Sequence, residues 1–600
     1  MRGRVPAGLL AALVVGLFVA PPASAGTAPR PHVVLIAVPD LRWSDVLHMS
    51  RLLALVRTAS VGNLSVHSSG DATRCGDGLL ELSAGTRVPS GVVACPPSVA
   101  EFDRLGRAYR SASFAPRVGT LPGPLPSGPG VSSFLDTELY GARAADRQQR
   151  RDELDAAIDG QVRDTGAGAV VIVAGISDNA TGPAHLHAVL VSGPGFAGGE
   201  LRSASTGRTG YVQLVDLTAT VLALTSPRGG DLPDRVIGRP LRSVPGSHRS
   251  PAALADDGRH ARAAADVSGG TRNVLAIVAT GVVVLFWARL RRAARWCARL
   301  FAAAPLLTFV VQVVPWWRWG TVAYAGLVAA GSVAVGAAVA VVERRDRTAA
   351  LLAVPALTAL VFVADQLAGA PLDLSAPMGD NPIVAGRFHG MGNMAFALMA
   401  ASALFCAGVL AARAPSTRKK LAAVAGIGAV VLAVDAAPPL GDDLGGLLAL
   451  LPAVVVLGAL VAGVRVTWRR ALLVAGVTLV VAAVVGALDA ARPPDRRTHI
   501  GRFVAHLAHG HLDPVAGRKL RAMLRSFSNV ALDVFVAVTA AAAVTLRRLV
   551  PAELHPALAA VAVVGVLGTL LNDSGVAVAA GAALAVVPAV VGDTRVSGAE

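Results

Sequence analysis

The second half of the chain consists of long apolar segments separated by short polar loops, and this pattern limits the possible folds more than any other feature. A helix needs about 20 mostly apolar residues to cross the ~30 Å hydrocarbon core of a bilayer. Eleven segments approach that length: residues 273–289, 298–316, 320–342, 348–368, 391–412, 420–437, 444–464, 470–490, 529–546, 555–571 and 575–592. The sequence therefore predicts an all-α polytopic domain of about eleven transmembrane helices at residues 273–592.

Arginine and lysine residues concentrate in every second loop between these segments. The basic residues are Arg289, Arg291, Arg292 and Arg295; Arg344, Arg345 and Arg347; Arg413, Arg418, Lys419 and Lys420; Arg465, Arg469 and Arg470; and Arg547 and Arg548. Loops rich in these residues stay in the cytoplasm. The alternation therefore predicts a multi-pass protein of the cell membrane with residues 27–272 outside the cytoplasm and the C-terminus inside it.

The composition agrees with a membrane protein, since 54% of the residues are hydrophobic and only 16% are charged. The net charge of +16 comes largely from the loop arginines. No cluster of basic and aromatic residues suggests a surface on which nucleic-acid bases stack. The expected partner is the lipid bilayer, and we do not expect nucleic acid.

The first half divides into a targeting segment, a domain and a connection. Residues 1–25 have a basic start, an apolar centre and the small residues Ala23, Ser24 and Ala25 at the end, as in a secretory signal peptide. Residues 27–224 form the extracytoplasmic domain. Residues 225–272 are polar and contain Pro, Gly and Arg, which predicts a linker that tethers the domain to the membrane.

Short apolar runs predict the fold of the extracytoplasmic domain. Residues 32–38, 169–174 and 187–192 are rich in β-branched residues, as in buried parallel strands. Residues 44–58 and 211–224 have helical spacing. This alternation predicts a doubly wound α/β sheet, in which ligands bind beyond the carboxyl ends of the strands.

Two of the four cysteines, Cys75 and Cys95, fall in this domain. Disulfides persist outside the cytoplasm, so the sequence predicts a bond between them. Two buried thiols are the alternative.

Several segments of the domain resemble the alkaline phosphatase-like superfamily, which includes sulfatases, phosphodiesterases and metal-dependent phosphoglycerate mutases. They are residues 33–42, 73–87, 176–178, 191–206, 210–224 and 238–241. In that family the first strand ends at a metal-binding aspartate, and a Thr or Ser nucleophile precedes a helix that ends in a Gly-rich turn. The resemblance implies an alkaline phosphatase-like fold and metal-dependent hydrolysis or transfer of phosphoryl groups.

The matching positions give a set of candidate catalytic and metal-binding residues. Thr73 matches the nucleophile, and the candidate metal ligands are Asp40, Asp178, Asp216, His185 and His187. The two histidines are two residues apart on a predicted strand, which places both rings on one face. The implied cofactor is a divalent metal, zinc or manganese.

Two departures from the family favour a different function. Asn179 stands where the family has a histidine after the late aspartate, and the middle of the domain has no Asp-x-x-Gly-His pattern. In this alternative the domain is a pseudoenzyme without a metal, attached to a transporter, a flippase or a scaffold for envelope assembly. The retained aspartates favour the enzyme.

Four loops of the membrane half that are predicted to lie outside combine glycines with polar residues. Their candidate substrate-binding residues are Arg387, His389, Asn393, Asp442, Asp443, Arg497, His499, Arg502, Asn572 and Asp573. Arginines bind phosphate or carboxylate groups, and acids at membrane depth carry cations or protons. We expect a joint polar site for a phosphate-bearing lipid or lipid-linked glycan. Alternatively, the glycines form tight turns and the charges mark the membrane surface.

Overall fold

A computed structural model of the chain describes most of both halves. The described residues are 31–67, 72–88, 95, 104, 146–166, 168–179, 182–226, 232–233, 236–384, 387–437, 440–441, 443–492, 501, 504, 529–572 and 574–593. The signal peptide predicted at residues 1–25 lies outside them.

The first half contains a seven-stranded sheet. Its strands are β1 Val33–Val38, β2 Ser60–Ser65, β3 Val170–Gly175, β4 Leu186–Ser192, β5 Glu200–Arg202, β6 Tyr211–Gln213 and β7 Arg242–Val244. The order is β1-β3-β4-β2-β5-β7, with β6 paired to β2. β1 and β3 are parallel and in register from Val33 opposite Val170. β4 is antiparallel to both of its neighbours, so the sheet is mixed and the prediction of parallel strands is wrong for β4.

Helices cover both faces of the sheet. They are α1 Trp43–Val46, α2 Ser50–Val56, α3 Cys75–Ala84, α4 Arg147–Asp164 and α5 Leu214–Thr225. Because side chains alternate along a strand, β1 contributes to two cores. Val33 and Leu35 pack with α3 and α5, whereas Val34 and Ile36 pack with α1, α2 and α4. The result is a three-layer α/β domain.

The predicted disulfide is present in this domain and joins Cys75, the first residue of α3, to Cys95. The two Cα atoms lie 5.6 Å apart, within the usual range for a bridge. The bond holds Cys95 at the start of α3.

The connection to the membrane half differs from the predicted tether. Residues 251–272 belong to α6, a single helix of 37 residues from Pro251 to Trp287. Ser250 caps its N-terminus by accepting a hydrogen bond from the amide of Ala253. At 1.5 Å per residue such a helix is about 55 Å long. Leu254 packs on the sheet, and Val282 packs in the core of the membrane half, so one rigid element joins the two halves.

The membrane half is helical. Its helices after α6 are α7 Arg291–Phe301, α8 Ala304–Val310, α9 Thr321–Glu343, α10 Arg347–Leu367, α11 Asn393–Arg413, α12 Thr417–Ala436, α13 Leu444–Val461, α14 Trp468–Ala490, α15 Val530–Thr545, α16 His555–Leu571 and α17 Val576–Gly592. Eight helical segments of the described residues are long and apolar enough to cross a membrane. The other three predicted segments form α12, α15 and α17, of 20, 16 and 17 residues. A multi-pass membrane protein is supported, and the number eleven stays a prediction.

One helix, α11, is the centre of the bundle. It is almost wholly buried and contacts α10, α12, α13, α16 and α17. In contrast, α9 and α14 expose most of their apolar residues, including Leu472 and Leu473. Exposed apolar helices around a packed core are what a lipid environment favours.

Candidate functional site

Two polar clusters in the described part of the chain each contain several predicted site residues, and the first is at the carboxyl edge of β1 and β3. Because these strands are parallel neighbours, both end at the same edge of the sheet. Asp40 follows β1, Asp178 follows β3, and both are fully buried. The Asp40 amide donates a hydrogen bond of 2.9 Å to the carbonyl of Ser177. The sequence therefore placed the two carboxylates at one edge correctly.

Asp40 is held by two arginines. Arg42 Nε donates to Asp40 Oδ1 at 2.7 Å, and both terminal nitrogens of Arg147 lie 3.3 Å from Oδ2. Arg147 also donates to both oxygens of the buried Asp45 at 3.0 Å. The backbone of Asp40 is left-handed, with φ of 53°, a conformation that Asp and Asn tolerate better than most residues.

Asp178 fixes the backbone around Thr73. Its Oδ2 accepts a 2.9 Å hydrogen bond from the Thr73 amide, and its own amide donates to the Thr73 carbonyl at 2.8 Å. Its Oδ1 accepts from the His185 amide at 2.8 Å and lies 3.0 Å from His187 Nε2. The backbone amides of Thr73 and His185 and the side chain of His187 therefore meet at Asp178, and the catalytic and metal-binding roles of these residues stay predictions.

The histidines differ in their surroundings. Burial lowers the pKa of His185 to about 3, and the positive charge of Arg42 acts in the same direction. His185 is therefore neutral at physiological pH. His187 is fully buried against Asp178.

The position of α3 at this edge depends on a close approach between its backbone and the backbone that follows β3. A Cβ on Gly78, in the first turns of α3, would collide with the carbonyl oxygen of Ile176. Without that Cβ, the start of α3 reaches the end of β3. Arg74 then donates hydrogen bonds to the carbonyl oxygens of Asn179 and Gly182. We call Asp40, Arg42, Thr73, Arg74, Arg147, Asp178, Asn179, His185 and His187 the edge cluster.

The candidate metal ligands of the edge cluster do not fit a two-metal centre. Both oxygens of Asp40 face guanidinium groups, so a cation there would have to displace one of them. Both oxygens of Asp178 already accept backbone N–H groups. Across the described residues, no group of three or more His, Cys, Asp or Glu side chains has a geometry suited to a metal ion. The carboxylates of the edge cluster thus hold protein groups in place.

Asp216 belongs to a different part of the domain. It lies in the first turn of α5, and its oxygens accept from Ser205 Oγ, the Gln213 amide and the Arg239 amide at 2.6–2.9 Å. Burial raises its pKa to about 6, against these hydrogen bonds. β4 and β2 lie between β3 and β6, the strand that leads into α5. The structure therefore does not bring Asp216 to the other candidate metal ligands.

The second cluster lies in the membrane half, where α11, α13 and α17 begin and α12 and α16 end. Arg387 Nη1 is 3.7 Å from Asp443 Oδ2, and Asn393 Nδ2 donates to Ser574 Oγ at 2.5 Å. Asp435, in the last turn of α12, is fully buried nearby. We call Asp373, Arg387, Asn393, Asp435, Asp443 and Asn572 the mouth cluster.

Asp373 extends the mouth cluster towards the loop before α11. Its Oδ2 accepts a 2.7 Å hydrogen bond from the Gly392 amide. Burial raises the pKa of Asp373, while that hydrogen bond and the charge of Arg387 oppose the rise. The charge of Arg387 thus acts on Asp373 as well as on Asp435 and Asp443.

Four of the ten predicted loop residues, Arg387, Asn393, Asp443 and Asn572, belong to the mouth cluster. His389 lies between the halves instead, with Nδ1 2.8 Å from the carbonyl of Thr206. Asp442, Arg497, His499, Arg502 and Asp573 lie outside the described residues.

The α/β domain rests on the loop between α10 and α11. Arg208 donates to the carbonyls of Phe388, at 3.0 Å, and Ala370. Ser65 Oγ donates to the carbonyl of Pro382, and Asn381 Nδ2 to that of Ala261, both at 2.7 Å. The mouth cluster therefore lies at the end of the bundle that carries the α/β domain.

Sequence reasoning missed several residues of both clusters. Arg42 lies two residues after Asp40, and this short separation could have indicated that the two side chains pair. Arg147 lies 107 residues from Asp40, and nothing local connects them. Asp435 was counted as the end of an apolar segment.

Comparisons with protein family models, curated proteins and solved structures gave no match. The resemblance to the alkaline phosphatase-like superfamily therefore rests on the motifs alone and stays a prediction.

Proposed function

We propose that this chain is an envelope protein of the cell membrane whose α/β domain binds the phosphate of a lipid or lipid-linked glycan without a metal ion. The observation that carries the proposal is that Arg42 and Arg147 both donate hydrogen bonds to Asp40. This arrangement keeps guanidinium groups at the same edge of the sheet as Thr73 and makes the carboxylate a structural partner. It corresponds to the pseudoenzyme alternative.

The charge of the edge supports an anionic ligand. Among the described residues, five arginines surround this edge: Arg42, Arg74, Arg147, Arg151 and Arg262. Four aspartates, Asp40, Asp45, Asp178 and Asp266, lie among them, which leaves an excess of one positive charge. The side chains of Arg42 and Arg147 are 23% and 21% exposed, so a ligand has access to them. Arginine is well suited to phosphate oxygens.

The attachment to the membrane supports a lipid-borne ligand. Helix α6 runs from the sheet into the bundle, and Arg208 and His389 join the domain to the loop before α11. A domain fixed in this way stays close to the bilayer surface.

The decisive variant is Asp40→Asn, because asparagine tolerates the left-handed backbone and removes one negative charge. Phosphate binding is expected to tighten on the order of tenfold, or 1.4 kcal/mol. Two unit charges 4 Å apart interact by ~1 kcal/mol in water and ~4 kcal/mol near a protein surface. The measurement is calorimetric titration of full-length protein in detergent with inorganic phosphate. Arg163→Gln, an exposed change on α4, is the matched control, and unchanged or weaker binding by Asp40→Asn contradicts the proposal.

A second candidate is metal-dependent hydrolysis or transfer of phosphoryl groups with Thr73 as nucleophile. It is favoured by the meeting of Thr73, Asp178 and the two histidines at one edge. The two candidates predict opposite effects of Asp40→Asn. If the purified protein carries zinc or manganese in stoichiometric amount, and Asp40→Asn abolishes both the metal and phosphoester hydrolysis, the second candidate replaces the first.

A further inference from the structure

Asp435 is a buried carboxylate without a hydrogen-bond donor. It lies at the C-terminal end of α12, and its side chain is fully buried. Within the described part of the chain, no donor reaches Oδ1 or Oδ2. A buried carboxylate without partners costs several kcal/mol, so such a group is neutralised in a folded protein.

Two glycines make room for this carboxylate. A Cβ on Gly446, in the first turn of α13, would lie 2.5 Å from Asp435 Oδ2 and 2.7 Å from Oδ1. A Cβ on the preceding residue, Gly445, would collide with Asn572 Oδ1. Asp435 and Asn572 therefore lie against the backbone of two consecutive glycines at the start of α13. The cradle is specific to glycine, since any side chain would fill it.

The charges around the cradle do not balance. Asp443 is the N-cap of α13, and its Oδ1 accepts from the Gly445 amide at 3.1 Å. Its Oδ2 has no hydrogen-bond donor among the described residues and faces Arg387 at 3.7 Å. Among the described residues, Arg387 is the cation that acts on both Asp435 and Asp443. One guanidinium shared by two carboxylates leaves negative charge in the cradle.

We propose that Asp435, Asp443 and Asn572 form a binding site for one monovalent cation, a proton or a sodium ion. Both share the chemistry that the site requires, a single positive charge held by oxygen atoms. The carboxylates of Asp435 and Asp443 and the amide oxygen of Asn572 are such atoms. The site does not depend on phosphate binding at the edge cluster.

The first arm of the test measures binding of radioactive sodium to the full-length protein in detergent. If the cation is sodium, the wild type binds one ion per chain and Asp435→Asn weakens binding at least about tenfold, a change of 1.4 kcal/mol. Asp443→Asn serves as a second variant in case Asp435→Asn does not fold. Asp346→Asn is the control, because Asp346 is an exposed N-cap of α10 and asparagine caps helices equally well.

The second arm is the infrared difference spectrum between the wild type and each variant at neutral pH. If the cation is a proton, the wild type shows the C=O band of a carboxylic acid that Asp435→Asn or Asp443→Asn removes and Asp346→Asn retains. Sodium binding lost in the variants supports the site in its sodium form, and the infrared band supports it in its proton form. If folded variants change neither sodium binding nor the band, the proposal is overturned.

Discussion

Glu81 predicts a specific pH dependence of stability. It lies in α3, the helix that begins just after Thr73, and is 2% exposed, with no hydrogen-bond donor to Oε2 among the described residues. Burial raises its pKa to about 8 from 4.5, opposed by Arg87 and assisted by Asp77. The folded protein therefore keeps a proton that the unfolded chain releases above pH 4.5.

The sign and the size of the effect follow from this difference. The contribution of Glu81 to stability is complete below pH 4.5 and is lost as the pH rises to about 8. The difference between a pKa of 4.5 and one of about 8 corresponds to about 5 kcal/mol. Glutamine has the same shape and does not titrate. Between pH 4.5 and 8, Glu81→Gln should therefore gain free energy of unfolding relative to the wild type by ~1.4 kcal/mol per pH unit.

Pulse proteolysis in urea, performed on the full-length protein in detergent, measures this quantity at several pH values. The fragment of the α/β domain reports the fraction folded. Glu153→Gln is the control, because Glu153 is exposed on α4 and its curve should run parallel to that of the wild type. If Glu81→Gln also runs parallel to the wild type, Glu81 is not a neutral buried acid.

Three further changes test the packing around the sites. Gly78→Ala forces a Cβ against the Ile176 carbonyl and should destabilise the α/β domain by ~1–3 kcal/mol in urea unfolding; the control Gly160→Ala meets no atom within 4 Å and should stabilise it by ~0.5–1 kcal/mol. Asp216→Asn sets an amide group against donors that now point at a carboxylate and should cost about 1–3 kcal/mol in the same assay. Arg208→Ala removes the hydrogen bonds to Ala370 and Phe388, so hydrogen exchange of residues 370–389 should accelerate while exchange in β1 stays unchanged.

The sequence predicted the strands better than their directions. Runs of β-branched residues located β1, β3 and β4 to within one or two residues, because burial of both faces requires such runs. Hydrophobicity carries no information on direction. Only ten residues separate Gly175 from Leu186, however, and a parallel return needs a dozen or more. The length of this connection was the signal that β4 is antiparallel.

The start of α5 was also difficult to predict, because the apolar residues continue from β6 into the helix. Residues 211–213 form β6, and α5 begins at Leu214. Its start is marked by Asp216, which accepts a hydrogen bond from the Gln213 amide in a capping box. Residues 251–272 of α6 are largely polar because this part of the helix lies outside the apolar bundle and is partly exposed. Their polar composition made this part of the helix resemble a linker.

The sites depended on contacts that only folding creates. Motifs located Asp40, Thr73 and Asp178, but Arg147, one of the two arginines that bind Asp40, comes from α4, more than one hundred residues away. In the membrane half, the glycine pair 445–446 was visible in the sequence. The carboxylate that fills the space beside it comes from the end of another helix.

The two clusters share one end of the molecule, and this follows from connectivity as well as from contacts. The loop between α10 and α11 carries the α/β domain. Two helices later the chain returns to the same end at Asp443, and it reaches Asn572 in the mouth cluster at the end of α16. The arginine-rich loops occupy the alternate positions, and at the other end Arg299 pairs with Glu343. The positive-inside rule predicts that both proposed sites face the outer compartment, where an anionic headgroup and a cation are both available.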